Sequence, residues 1–285
     1  MNNKVNLVEC PRDAMQGWKK FIPTNQKIEY INSLLKVGFD TIDFGSFVSP
    51  KAIPQMADTK NVVPHLHLEN SSSKLLAIVA NLRGAEEASS YDEITYIGYP
   101  FSISETFQQR NTNNTLEESL KIVELINNTC NKKNKQAVIY ISMAFGNPYG
   151  DNYATDLVLH WVDKISELNI PVISLADTVG LAEPSQITSL LNLLIPAYPN
   201  VSIGLHLHSS LANWRIKVDA GLKAGCMRFD GALKGIGGCP MADDVLIGNL
   251  DSELLIRYFS ELDLLNRIDI EALKKSLMLA DRIFV

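Results

Sequence analysis

The sequence predicts an α/β protein of the (β/α)8 TIM-barrel class with an extra C-terminal helix, and three observations carry that prediction. Short β-branched or apolar runs alternate with longer segments whose apolar residues recur at i, i+3 and i+4. This alternation is the pattern of parallel strands joined by crossover helices. The chain has 285 residues, close to the ~250 typical of such a barrel, which folds around one core. No linker, composition shift or low-complexity tract interrupts it, so residues 1–285 are expected to form a single TIM-barrel domain.

In chain order, the first strand is expected over Val5–Cys10, followed by a helix over Thr24–Val37 with Thr24 at its cap and Gly38 as its stop. Strands two to four are expected over Thr41–Gly45, Lys74–Ala80 and Glu93–Gly98. A helix over Leu116–Thr129 opens with Thr115 and Glu118, the Thr-x-x-Glu spacing of a capping box. Strand five covers Ala137–Ser142, strand six Val172–Ala176, strand seven Val201–Leu207 and strand eight Met227–Gly231. Helices over Ala154–Leu168, Pro184–Ile195 and Ala212–Ala224 separate these last strands, and Asp269–Ile283 is the additional helix.

With 46% hydrophobic and 20% charged residues the composition is that of an ordinary globular protein. A formal net charge of −6 with dispersed Lys and Arg leaves no basic footprint for nucleic acid or an anionic membrane. No apolar run is long enough to span a bilayer, and the N-terminus lacks the pattern of a targeting peptide. The cysteines, Cys10, Cys130, Cys226 and Cys239, are scattered without a CxxC pair, which reads as thiols in a reducing compartment. A cytoplasmic homodimer is the expectation.

In such barrels the active site lies at the C-terminal ends of the strands, so polar residues there carry functional weight. Strand one ends in Glu9-Cys10-Pro11-Arg12-Asp13, strand two passes through Asp43 and Ser46, strand six ends in Asp177-Thr178, and strand seven in His206-Leu207-His208. The i, i+2 spacing points both imidazoles of His206 and His208 inward and leaves Leu205 and Leu207 to face the helices. Two imidazoles with a carboxylate such as Asp13 suit a divalent metal, Mg²⁺ or Mn²⁺ where oxygen ligands and water complete the set. A hydrogen-bonded pair of rim histidines is the alternative. His65 and His67 share the spacing but fall between strands two and three, where no barrel-lining face exists, and read as a loop pair. Arg12 is a fixed cation suited to a developing oxyanion, or else an ion-pair partner of Glu9 or Asp43. Gly235-Ile236-Gly237-Gly238-Cys239-Pro240 reads either as a lid carrying a catalytic thiol or as a plain turn.

Several segments together resemble the 3-hydroxy-3-methylglutaryl-CoA lyase family, in the metallolyase branch of TIM barrels. They are Pro11-Arg12-Asp13-Ala14-Met15-Gln16, Ser46-Phe47-Val48-Ser49-Pro50-Lys51, Asn81-Leu82-Arg83-Gly84, Ser174 to Gly180, His206-Leu207-His208, and Gly237-Gly238-Cys239-Pro240 leading to Gly248-Asn249. The resemblance implies that Asp13, His206, His208 and Asn249 bind a divalent cation, that Arg12 stabilises an enolate, and that Cys239 takes part in proton transfer from a mobile loop. It further implies that Asp43 and Asp177 support catalysis, that Gln16, Ser46, Asn81, Ser174 and Thr178 lie on the substrate side, and that the substrate is an acyl-CoA. Without the resemblance, Asn249 reads as an N-cap for a helix beginning near Asp251.

The sequence also departs from the family. Asp43 stands where Glu is usual, Ala14-Met15 replaces Gly-Leu, and Ser209-Ser210 replaces Asp-Thr after His208. Two rivals remain open at this point: a related acyl-CoA condensing enzyme or lyase for another 3-hydroxyacyl substrate, and a non-catalytic metal-binding barrel. Condensing enzymes of this branch usually carry a further C-terminal region. A scaffold needs none of Arg12, Asp13, His206, His208 and Cys239.

Overall fold

Alternating strands and helices leave each strand buried on both faces, and the computed structural model, which describes residues 4–238 and 247–285, shows how. Eight parallel strands close into a barrel in chain order. They are β1 (Asn6–Glu9), β2 (Thr41–Ser46), β3 (Lys74–Ile78), β4 (Ile94–Ser102), β5 (Gln136–Ser142), β6 (Val172–Ala176), β7 (Ser202–His206) and β8 (Arg228–Gly231). β4 runs past the expected Gly98 because Tyr99 to Ser102 pair in register with Ile139 to Ser142 of β5. Side-chain alternation splits the apolar residues into two groups. Leu7, Ile42, Leu75, Ile139, Leu205 and Phe229 belong to the large core shared with the helices. Leu76, Ile78, Val138, Tyr140 and Val172 form a separate small cluster with Tyr96 inside the barrel.

The expected helices appear over Thr24–Leu34, Leu116–Lys132, Thr155–Ser166, Pro184–Ala197 and Trp214–Lys223, and the last helix over Ile270–Ile283. Thr115 and Glu118 form the capping box. Gly38 takes φ +101° just beyond the first long helix, a conformation a side chain would strain. Thr24 is not a cap: Pro23 holds that position, and the Thr24 hydroxyl instead donates to Asp58 at 2.7 Å. Short helices over Leu82–Ser89 and Glu105–Thr112 were not predicted, since eight residues give the helical period too little length to register. Among the described residues no helix is long and apolar enough to cross a membrane.

Closure of the barrel is tied by a carboxyl group. Glu9, fully buried at the end of β1, accepts the Leu233 backbone N–H at 2.9 Å and the hydroxyl of Ser252. Leu233 follows β8 and Ser252 opens the helix Ser252–Glu261, so one side chain joins the end of β8 to the start of that helix. Burial pushes the Glu9 carboxyl up to about 8; the Ser252 and Leu233 bonds offset this only in part. The sign follows from linkage. Between the ordinary 4.5 and about 8 the folded state holds one more proton than the unfolded chain, so stability falls as pH rises through that window. The denaturant midpoint is therefore expected to drop over this range. Glu9→Gln, which keeps an acceptor for Leu233 and offers an amide N–H to the Ser252 hydroxyl oxygen in place of an acceptor, should flatten the drop; an unchanged slope in that variant would assign it to other groups.

Candidate active site

The polar end of the barrel begins where β1 stops. Cys10 N–H bonds Gly231 O at 2.8 Å, which ends the ladder, and Pro11 then opens a helix over Pro11–Gln16 at the first-turn position that proline favours. That single turn lays Arg12, Asp13 and Gln16 across the mouth. Arg12 Nε donates to both oxygens of Asp43, at 3.2 and 3.1 Å, and Nη2 donates to Asp43 as well. Nη1 donates to Asp13 Oδ1 and to Gln16 Oε1, each at 3.0 Å. Gln16 Nε2 returns a bond to Asp13 at 2.6 Å. Glu9 is not a partner of Arg12, since it faces the other way toward Ser252.

The two carboxylates beside Arg12 shift in opposite directions. Burial raises Asp13, but Arg12, His206, His208 and the Asn249 bond pull it down to about 2. Burial dominates at Asp43 and pushes it up to about 6, with Arg12 opposing and the nearby Asp13 and Asp230 adding to the rise. The difference has a physical source: Asp13 has cationic or polar partners on several sides, whereas Asp43 lies one layer deeper with acids for neighbours. Burial disfavours the Arg12 cation, yet the two carboxylates more than offset it, and the guanidinium stays charged.

His206 and His208 point inward from β7 while Leu205 and Leu207 pack outward, as the period of two requires. Register pairs His206 with Asp230 of β8, and His206 Nδ1 lies 3.2 Å from Asp230 Oδ2. His208 Nδ1 lies 3.1 Å from Ile247 O. Each Nδ1 faces an acceptor and so carries the proton, which leaves Nε2 of each ring with its lone pair. Burial lowers His206, but the Asp230 bond and charge raise it overall; burial and the neighbouring His206 lower His208. The rings stand 5.3 Å apart between centroids. Asn249 is bridged to His208 and donates Nδ2 to Asp13 Oδ2 at 2.8 Å and to Ile236 O at 2.9 Å. It caps no helix, because Asp251 holds the N-cap of Ser252–Glu261.

Two imidazoles, a strongly anionic carboxylate and an amide adjoin one another, a donor set that, with both rings neutral, fits Mg²⁺ or Mn²⁺ with water completing the shell. A second grouping exists on the inner side: ligand atoms of Cys10, His206 and Asp230 lie within 4.8 Å of one another. Burial raises the Cys10 thiol, and Asp230, Asp43 and Asp13 raise it further. A protonated thiol is a poor ligand for a hard cation, so Asp230 here serves as the acceptor that orients His206.

A cavity of about 580 Å³ opens over this end of the barrel, with Arg12, Asp13, His206 and His208 at its polar end. Gln16, Ser46, Asn81 and Thr178 also line it, beside an apolar wall that includes Val48, Ile53, Ile78 and Pro100. Asn81 Oδ1 accepts Gly84 N–H and caps Leu82–Ser89, while Thr178 Oγ1 accepts the N–H of Met143. Ser174 is fully buried one layer below, its hydroxyl has no hydrogen-bond partner among the described residues, and it does not line the cavity. Asp43 and Asp177 stand behind the wall. Asp177 accepts Lys217 Nζ at 2.8 Å and Ala182 N–H at 2.9 Å. Gly237, at φ +108°, lies so close that an added Cβ would meet Asn249 Nδ2 at 2.6 Å and Asp13 O at 2.9 Å. Cys239 lies outside the described residues. His65 and His67 are exposed, away from the cavity.

Asp230, Tyr140 and Lys217 were missed in the sequence. Asp230 obeys the same strand-end rule that singled out Asp43, and Tyr140 lines the cavity edge-on to His206, 5.8 Å between centroids. Lys217 gave no signal, because a lysine on an amphipathic helix ordinarily reads as solvated.

The family model described as HMGL-like matches residues 5–278. The hydroxymethylglutaryl-CoA lyase of Bacillus subtilis is 33% identical over 271 residues, covering 95% of this chain and 90% of that protein. The (R)-citramalyl-CoA lyase of Chloroflexus aurantiacus is 29% identical, covering 94% and 87%. A solved HMG-CoA lyase from Acinetobacter baumannii, in complex with coenzyme A and 3-methylmalate, superposes with a TM-score of 0.91 at 29% identity, covering 100% of this chain and 92% of that one.

Lys217 and Asp177 are both nearly fully buried. Lys217→Met would strand the carboxylate and is expected to destabilise the fold by about 3–5 kcal/mol, the usual cost of breaking a buried pair. Denaturant unfolding measures it. A loss below about 1 kcal/mol would show that the pair is solvated in solution.

Proposed function

Because the chain belongs to the HMGL-like family, and is therefore a carbon–carbon lyase, we propose that it catalyses a divalent-metal-dependent retro-Claisen cleavage of 3-hydroxy-3-methylglutaryl-CoA to acetyl-CoA and acetoacetate. The observation that carries this reading is the meeting of Arg12, Asp13, His206 and His208 at one end of the cavity. Asp13, His206, His208 and Asn249 are the proposed metal ligands. These residues would hold a divalent cation, which would supply Lewis-acid stabilisation of the negative charge that develops on substrate oxygen.

The substrate's tertiary hydroxyl gives up its proton to a base at this end, where the two histidines stand at the wall and Asp177 behind them. The C2–C3 bond then breaks. Its electron pair passes to C2, C3 becomes the ketone carbon of acetoacetate, and the leaving fragment is the enolate of acetyl-CoA. Arg12, fixed by Asp43 and Gln16, meets the charge that develops on the thioester oxygen. Protonation at C2 completes the balance, and Cys239 on the glycine-rich loop is the proposed donor. Coenzyme A enters as part of the substrate. The same reading takes the protein as one catalytic domain, working as a homodimer in the cytoplasm.

A second reading is cleavage of another 3-hydroxyacyl-CoA, favoured by the likeness to a citramalyl-CoA lyase and by Asp43, Ser209 and Ser210 at positions where the family usually differs. An assay for acetoacetate release from 3-hydroxy-3-methylglutaryl-CoA, with and without Mg²⁺ or Mn²⁺, tests the first. Silence with both metals, beside turnover of (R)-citramalyl-CoA, would replace it with the second.

His208→Ala is expected to abolish metal-dependent turnover, whereas His67→Ala, on the exposed loop, should not; the reverse pattern would overturn the ligand assignment. Arg12→Gln should lower kcat by roughly 10²- to 10³-fold, the scale of a lost oxyanion donor, with a smaller change in KM. A change confined to KM would make Arg12 a substrate anchor.

A further inference from the structure

Beneath the histidines the barrel interior holds a second cation that the proposed reaction does not use. β8 carries Arg228 and Asp230 two residues apart, so both point inward in successive layers, about 7 Å apart along the strand. In the upper layer Asp230 is level with His206 on β7. In the lower layer the neighbouring β7 residue is Gly204, where an added Cβ would stand 2.9 Å from Arg228 Cδ and 3.0 Å from Cγ. The bare backbone of Gly204 is what admits the arginine's aliphatic stem.

The guanidinium ends in a place where its charge is not neutralised by direct contact. Arg228 is 3% exposed, and its Nε and Nη2 have no hydrogen-bond partner among the described residues. Asp230 is 1% exposed, with Oδ2 committed to His206 and Oδ1 without a hydrogen-bond partner among the described residues. The groups whose charge acts on Arg228 are Asp230 on its own strand, Tyr140 on β5, Tyr96 on β4 and Cys10 at the end of β1, and Arg228 acts in turn on Asp40. Burial works against the cation, and Asp230 is the largest influence that favours it. Among the described residues, unpaired donors and an unpaired acceptor of opposite charge therefore stand in successive layers of the barrel interior.

We propose that Arg228 is a positioning residue of the active site: from the layer below, its fixed charge holds the Asp230 carboxylate in place, and through it the ring of His206. A carboxylate with one oxygen on a histidine and the other unbonded can turn about its own axis, and a permanent cation beneath it removes that freedom. The bland alternative is that Arg228 only fills the barrel, in which case nothing at the mouth should respond to it.

The inference rests on His206 being a metal ligand, and the test separates the two. Arg228→Met keeps length and volume without the charge, and the loss of an unpaired buried cation should leave the melting temperature equal or higher. In metal-free protein labelled with ¹⁵N-histidine, the His206 Nδ1–H signal, assigned by its loss in His206→Asn, is expected to broaden through exchange with water. Mn²⁺ affinity, read by electron paramagnetic resonance, is expected to fall about 10-fold or more, the scale seen when an outer partner of a metal-bound histidine is disturbed. In an Asp230→Asn background Arg228→Met should add little, since both act along one path. An unchanged His206 signal with affinity within about twofold of the parent, or losses that add fully to those of Asp230→Asn, would overturn the proposal. Should Arg228→Met fail to fold, Arg228→Gln is read by the same two measurements and the same criteria. A parent protein that binds no Mn²⁺ would sink the ligand assignment instead, while the histidine signal still decides the role of Arg228.

Discussion

Arg12 bonds Asp43 through Nε and Nη2 and Asp13 through Nη1, and this array of one cation and two acids decides which groups at the barrel mouth remain ionised. Removing three charges from water is costly, and the cost is offset only when each finds several partners. Here the partners come from elements far apart in the chain: Gln16 from the turn after β1, Asp43 from β2, Asn249 from the segment after β8. The geometry of the turn at Pro11 therefore fixes the electrostatics of the whole site. A helix opening one residue later would point the guanidinium elsewhere and leave Asp43 buried among acids alone.

The same economy of charge recurs along the wall. Lys217 Nζ meets Asp177, the carbonyl of Gly180 and the carbonyl of His208, so it joins the loop after β6 to the end of β7 from outside the barrel. Asp230 approaches His206 from inside. The histidine pair is thus held from both faces of its strand, and both restraints act through groups that never touch the cavity. With Asp230 facing Nδ1 of His206 and the Ile247 carbonyl facing Nδ1 of His208, each ring also has an oriented partner before any ligand arrives, the preorganisation that a charged transition state rewards.

Much of this was legible in the sequence because it follows from period. Strand alternation alone predicts that His206 and His208 share the inward face, and the strand-end rule finds Arg12, Asp13 and Asp43. Other features required three-dimensional pairing. Nothing local distinguishes Ser174 from a cavity residue, since its depth depends on how many layers lie above it. Thr24 was misread as a cap because the competing partner, Asp58, lies 34 residues away. Lys217 has the spacing of an ordinary surface lysine; only the packing of its helix against the loop after β6 turns it inward. Asn249 is the reverse case: its place beside Asp13 entered through the family resemblance, where residue type and position alone suggest a cap.

The contacts that complete the site are among the longest in the chain. Glu9 meets Leu233 and Ser252 at separations of 224 and 243 residues, and Asn249 meets Asp13 at 236. Loop closure over such spans is entropically late, and a barrel has no partial sheet that substitutes for its final seam. During synthesis the ribosome therefore releases most of the polypeptide before its first strand can find its last. The pocket is complete only once those contacts have formed, so a partly made chain carries the residues of the site without the geometry that joins them.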